Sequence, residues 1–137
     1  RLLTCGRVII GNKVEIGASC TIDRGVTADT IIGEGTILDN MIHVGHDTVI
    51  GKMCQIAAAT FIAGAVTIED DVVIWGHCIF VAGITIGKGA TVLGGSGVSK
   101  DLAPGKTYFG SPAEEAGSKW KELAYIRRLP ELFDGHK

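Results

Sequence analysis

Proline is scarce in this chain, with three in 137 residues and none before Pro104. The twenty glycines are therefore not part of a Pro- or Ser-rich linker, and they fall in a register that assigns them to tight corners rather than to disorder. Basic excess is also missing. A net charge of −2 argues against a nucleic-acid role, which needs a concentrated basic surface. The four cysteines, Cys5, Cys20, Cys54 and Cys78, are widely spaced with no CxxC pair. Neither a zinc site nor a disulfide framework is expected from them, and reduced thiols in a reducing compartment are. No apolar stretch reaches spanning length and no signal-like segment opens the chain, so a cytoplasmic protein is expected.

What the chain does have is a period of six. Ile32, Leu38, Val44, Ile50, Ile56, Ile62, Ile68, Ile74, Phe80, Ile86, Val92 and Val98 follow one another at that spacing without a miss. An α-helix wants apolar residues every 3.6 and a half-buried strand every 2, whereas a strict hexad marks a β-helix whose triangular coil has three short sides. One coil is then about eighteen residues. Gly or Ala follows the aliphatic residue in many hexads (Gly11, Gly17, Gly33, Gly45, Gly51, Ala57, Ala63, Gly87), where a bulky side chain would collide at a corner. Upstream the register continues through Ile10, Ile16 and Ile22. Ten residues then separate Ile22 from Ile32, so a small excursion is expected around Arg24 to Thr30, either shaping a groove or tolerated at a corner.

With 46% hydrophobic residues the chain suits one domain, yet a narrow solenoid buries little core per residue and association would help it. Its first coil is expected to be an exposed end that needs a cap. The solenoid is expected over 1–103, with a break at Asp101 to Lys106 where Pro104 and Gly105 interrupt the ladder, and a loop and helix over 104–137. Ser111, Pro112 and Glu114 have the S-P-x-E form of a capping box, Trp120, Leu123, Ala124 and Arg127 follow helical spacing, and Pro130 is expected to end the helix by Leu129. Lys119, Lys121, Arg127 and Arg128 form a basic side that is either a solvated face balanced by Glu115 and Glu122 or a docking surface for an acidic partner.

Eighteen residues per coil make position n stack on n+18 at about 4.8 Å. His46 then lies beside Gly64, His43 beside Phe61, and His77 between Ala59 and Gly95. A base next to an open backbone amide is what acyl transfer needs: one takes the proton from an attacking amine or hydroxyl, the other donates to the thioester oxyanion. Asp39 and Asp47 are acidic candidates for orienting the imidazole. The bland alternative is a structural histidine in a non-catalytic scaffold. A metal reading finds three histidines, but His77 sits on a different part of the triangle from His43 and His46, so no metal is expected. An ice-binding solenoid is disfavoured because no Thr-x-Thr ladder repeats at the coil length.

Residues 39–51 (DNMIHVGHDTVIG) closely resemble the catalytic segment of the UDP-3-O-(3-hydroxyacyl)glucosamine N-acyltransferases of lipid A biosynthesis. So do 6–11 (GRVIIG), 14–17 (VEIG), 21–25 (TIDRG), 96–101 (SGVSKD), 105–113 (GKTYFGSPA) and 128–131 (RLPE). The hexad is shared by many transferases, while TIDRG together with the Asp-Asn…His segment is fairly specific. The resemblance implies an all-β solenoid, a left-handed parallel β-helix with a C-terminal α-helix, that forms a trimer with sites in the clefts between subunits. It implies His46 as general base on the sugar 2-amino group, Asp39 as an acid near that base, and Gly64 as the oxyanion amide. The donor would be a 3-hydroxyacyl chain on the phosphopantetheine thioester of acyl carrier protein, with no bound cofactor, and Lys119, Lys121, Arg127 and Arg128 would receive the acidic carrier. The chain departs from the family in two ways. Val81-Ala82-Gly83-Ile84 stands where some members carry a second active-site histidine, and the family's N-terminal uridine-gripping domain has no counterpart in these residues, so nucleotide-sugar affinity is expected to be poor. A coenzyme-A-dependent sugar acetyltransferase remains the alternative enzyme.

Overall fold

The computed structural model describes residues 3–134, with side chains to Glu131. Its organising feature is the stacking of hexads into three parallel sheets. The first face carries Val8–Ile10, Thr30–Ile32, Val49–Ile50, Thr67–Ile68 and Thr85–Ile86. Glu15–Ile16, Ile37–Leu38, Gln55–Ile56, Val73–Ile74 and Thr91–Val92 make the second, and Thr21–Ile22, His43–Val44, Phe61–Ile62, Ile79–Phe80 and Gly97–Val98 the third. Parallel neighbours need a long connection between them, and here the other two sides of the coil supply it. The coil is left-handed, as in the solved structures it matches.

Each short strand turns its apolar hexad residue inward. Ile32, Val44, Ile62, Phe80, Ile86 and Val92 are fully buried, and each such side chain contributes about 1.5–3 kcal/mol of burial. Threonines at the corners satisfy the backbone that the turns would otherwise orphan: Thr36 Oγ1 donates to the Gly51 carbonyl and accepts from the Cys54 amide. Cys54 and Cys78 are buried, Cys20 is half-buried and Cys5 exposed, and burial pushes the Cys54 and Cys78 thiols up. On the first coil Ile10 is 50% exposed, where Ile32 on the next rung is 0%.

Corner geometry agrees with the collision expected from the sequence. The glycine after the hexad residue is required by close approach, since a Cβ on Gly33 would lie 2.4 Å from the Gly51 carbonyl oxygen. The left-handed residue comes two positions later, and it is often not glycine: Asp47 has φ 58°. The excursion is real. Val8 pairs with Thr30, a separation four longer than that of Val49 and Thr67.

The ladder also outlasts the break expected at Asp101–Lys106. Thr107–Phe109 pairs parallel with Thr91–Val92, and Glu114–Glu115 folds back antiparallel on it. This displaces the expected helix start. Ser111 packs over Gly97, the Ala113 amide donates to the Gly97 carbonyl, and Glu114 pairs with Lys100 rather than closing a capping box. The helix runs Ala116–Asp134 and passes through Pro130 instead of ending before it. On this exposed helix, water can take the carbonyl that proline leaves unbonded. Among the described residues no helix is long and apolar enough to cross a membrane.

Candidate active site

The segment 43–47 turns the corner from the third face to the first. His43 ends up on the outer surface of the third face, stacked on Phe61 of the next coil with ring centroids 4.5 Å apart, as the eighteen-residue register requires. Its Nδ1 lies 2.8 Å from Thr21 Oγ1 and its Nε2 3.8 Å from Asp23 Oδ2. His46 follows at the corner, its side chain half exposed.

Gly64 lies directly against that imidazole. A Cβ at Gly64 would fall 2.6 Å from His46 Nε2 and 2.8 Å from Cε1, so the absence of a side chain is what admits the ring. Among the described residues the Gly64 N–H donates to no protein acceptor, while its carbonyl accepts from the Gly83 amide. A ring nitrogen and an uncommitted amide thus share one corner of the solenoid.

Of the two acids proposed to orient the ring, the structure selects Asp47. Its Oδ2 lies 3.1 Å from His46 Nδ1. Asp47 Oδ1 accepts from the amides of Val26, Thr27 and Ala28 at 2.7, 3.1 and 2.9 Å, and the Asp47 amide donates to Thr30 Oγ1. The Ala28 amide is the largest influence holding the Asp47 carboxyl well below the usual carboxylate range; partial desolvation opposes it, and His46 and the amides of Val26 and Thr27 add to it. An ionised Asp47 only accepts, so His46 Nδ1 carries the proton and Nε2 presents a lone pair beside Gly64.

Asp39 is not part of this arrangement within one chain. It sits at the corner after Ile37–Leu38, where its Oδ1 accepts from the Asn40 amide and it borders a groove of about 260 Å³ with Ile37, Gln55, Ala57 and Trp75. The Val81–Ile84 segment brings no imidazole. Gly83 is open with φ 77°, and Ile84 packs into the core.

The basic side of the helix is divided. Lys119 lies back over Gly110, 15% exposed and 3.0 Å from Glu122, while Arg128 pairs with Glu131 at 3.3 Å. Lys121 and Arg127 are exposed. Trp120 is 55% exposed. The loop amides that hold Asp47 left no residue-type signal, although the ten-residue gap from Ile22 to Ile32 marked where they are.

By fold, this left-handed hexapeptide-repeat solenoid is similar to solved sugar acyltransferases. The comparisons agree. Over 95% of its length the chain is 44% identical to the UDP-3-O-acylglucosamine N-acyltransferase of Methylobacterium sp. (strain 4-46), of which it spans 39%. The solved UDP-N-acetylglucosamine acyltransferase of Arabidopsis superposes with a TM-score of 0.77 at 32% identity, covering 79% of this chain and 38% of that one. A mutant of perosamine N-acetyltransferase from Caulobacter crescentus, solved with CoA and GDP-perosamine, matches with a TM-score of 0.68 at 26% identity over 80% of this chain and 53% of its own. No family model matches the chain. It is a relative, through its solenoid, of the UDP-3-O-acylglucosamine N-acyltransferases.

Proposed function

We propose that the chain is the catalytic solenoid of an N-acyltransferase of lipid A biosynthesis, which moves a 3-hydroxyacyl group from acyl carrier protein to the 2-amino group of a UDP-3-O-acylglucosamine. The observation that carries this reading is His46 Nε2 standing against Gly64 with Asp47 behind the ring. His46 Nε2 takes a proton from the amine as its nitrogen attacks the thioester carbonyl and the C–N bond forms. The Gly64 N–H donates to the resulting oxyanion, a contribution of about 10² to 10³ in rate for one such donor. The C–S bond then breaks, and the imidazolium returns its proton to the departing thiolate. Asp47 stays ionised throughout and stabilises the imidazolium.

The same reading makes the protein a cytoplasmic homotrimer without a bound cofactor. Phe61 and Ile79 stack as an exposed apolar column, 49% and 58% accessible, beside the site. A single chain leaves this surface in water, which favours a neighbour that covers it. Asp39 would then enter the cleft from the adjacent subunit. Lys121 and Arg127 are the side chains best placed to meet an acidic carrier. The perosamine enzyme's coenzyme A supports the second reading, a short-chain sugar acetyltransferase. Incubating the protein with UDP-3-O-acylglucosamine and either 3-hydroxyacyl carrier protein or acetyl-coenzyme A, then weighing the product, separates them. The long-chain amide is expected, and an acetylated product alone would replace this reading with the second.

A further inference from the structure

The four residues that interrupt the hexad between Ile22 and Ile32 are tied to the site from both ends. On one side Arg24 donates from Nε and Nη2 to the carbonyls of Gly6 and Thr4, and the loop backbone pairs with residues 5–7. On the other side the loop closes over Asp47. Three consecutive amides meet Oδ1, and the Thr27 hydroxyl donates to Oδ2 at 3.3 Å. Oδ2 is the oxygen that faces His46. From Ile32 to Val98 the hexad is unbroken, so no corner of that stretch carries such an insertion.

We propose that Thr27, with the amides of Val26 and Ala28, is the positioning device of the His46–Asp47 pair: the amides fix where the carboxylate sits, and the hydroxyl sets how strongly its second oxygen holds the imidazole. A carboxylate with one donor is free to pivot about its Cβ–Cγ bond. With three amides on Oδ1, the rotation is stopped and Oδ2 stays in line with Nδ1. Thr27 is thus a residue that acts through Asp47 and touches no reacting atom. The charged groups in and beside the loop have partners of their own. Asp29 is bonded to Arg7, Asp23 faces His43, and Arg24 is committed to the Thr4 and Gly6 carbonyls, which leaves His46 as the ring that Asp47 serves.

This inference rests on His46 being the base, and its test has one arm that needs no turnover. Thr27→Val keeps the branched shape and all three amides but removes the donor to Oδ2. With less of its charge drawn off, Oδ2 holds the protonated ring more tightly, so the His46 titration followed by NMR should move to higher pH. In the acyl-transfer assay kcat should fall about three- to tenfold, the range of one modest hydrogen bond, with KM unchanged and the acid limb of the pH profile moved to higher pH. Thr27→Ser should restore both, and in an Asp47→Asn background Thr27→Val should change nothing further. An unmoved His46 titration in Thr27→Val overturns the proposal even if the parent protein turns over no substrate. An equal loss of rate in the Asp47→Asn background overturns it too, since Thr27 would then act by another route.

Discussion

A methyl group added to Gly64 would stand 2.6 Å from Nε2 of His46, closer than two such atoms approach. The imidazole is half exposed at a corner, so it can swing outward and relieve the contact without disturbing the coil. Gly64→Ala is therefore expected to fold and assemble as the parent does while losing 10²-fold or more in kcat, on the order of one oxyanion donor or beyond, because base and amide are displaced together. Circular dichroism, sedimentation and the transfer assay on one preparation check this. A variant that turns over normally would show that the substrate does not use this corner.

Asp47 makes the acid side of the stability curve predictable. Folding lowers its value below the ordinary 3.8, so it favours the folded state above that pH, and the contribution is lost as pH falls from there toward its folded value. Asp47→Asn removes the contribution, so the variant's melting temperature should depend less on pH between roughly 5 and 2 than the parent's. Its kcat should drop at neutral pH, since an amide can present its NH2 to Nδ1 and place the proton on Nε2.

In the core, Phe80 bridges Ile62 and Val98 on the rungs to either side and has no exposed surface. Phe80→Ala should cost about 3–5 kcal/mol, read as a lowered midpoint in urea. A solenoid loses its neighbour terms at one rung, so the transition should also broaden.

On the helix, charge reversal discriminates within the basic side. Arg127→Glu with Lys121→Glu should raise KM for the acyl carrier by about tenfold, the low end of what charge steering contributes, with the effect shrinking as salt rises. Lys119→Ala should leave that KM unmoved, because Lys119 is packed over Gly110 and held by Glu122. Equal effects from both changes would mean that the carrier, if one docks here, does not read these charges.

The solenoid is legible in the sequence because its physics is periodic: one inward side chain per six residues fixes three faces, and the same arithmetic stacks His43 on Phe61 and His46 on Gly64. Choosing between Asp39 and Asp47 was beyond that arithmetic. Both flank the histidine in sequence, and the choice was made by backbone amides of a loop four residues longer than the register, groups every residue possesses. The C-terminal segment misled for a related reason. Ser111, Pro112 and Glu114 have the composition of a cap, but one more rung at Thr107–Phe109 offered the chain a sheet edge first, and the edge decided where the helix could begin.

The central claim is that His46 is the base of an acyl transfer, and the most direct measurement is mass-spectrometric detection of product from 3-hydroxyacyl carrier protein and UDP-3-O-acylglucosamine with the parent and with His46→Ala. The account predicts N-acylated product from the parent and a loss of about 10² to 10⁴ in rate for the variant, with folding and assembly intact. Equal turnover by a folded His46→Ala protein would contradict it.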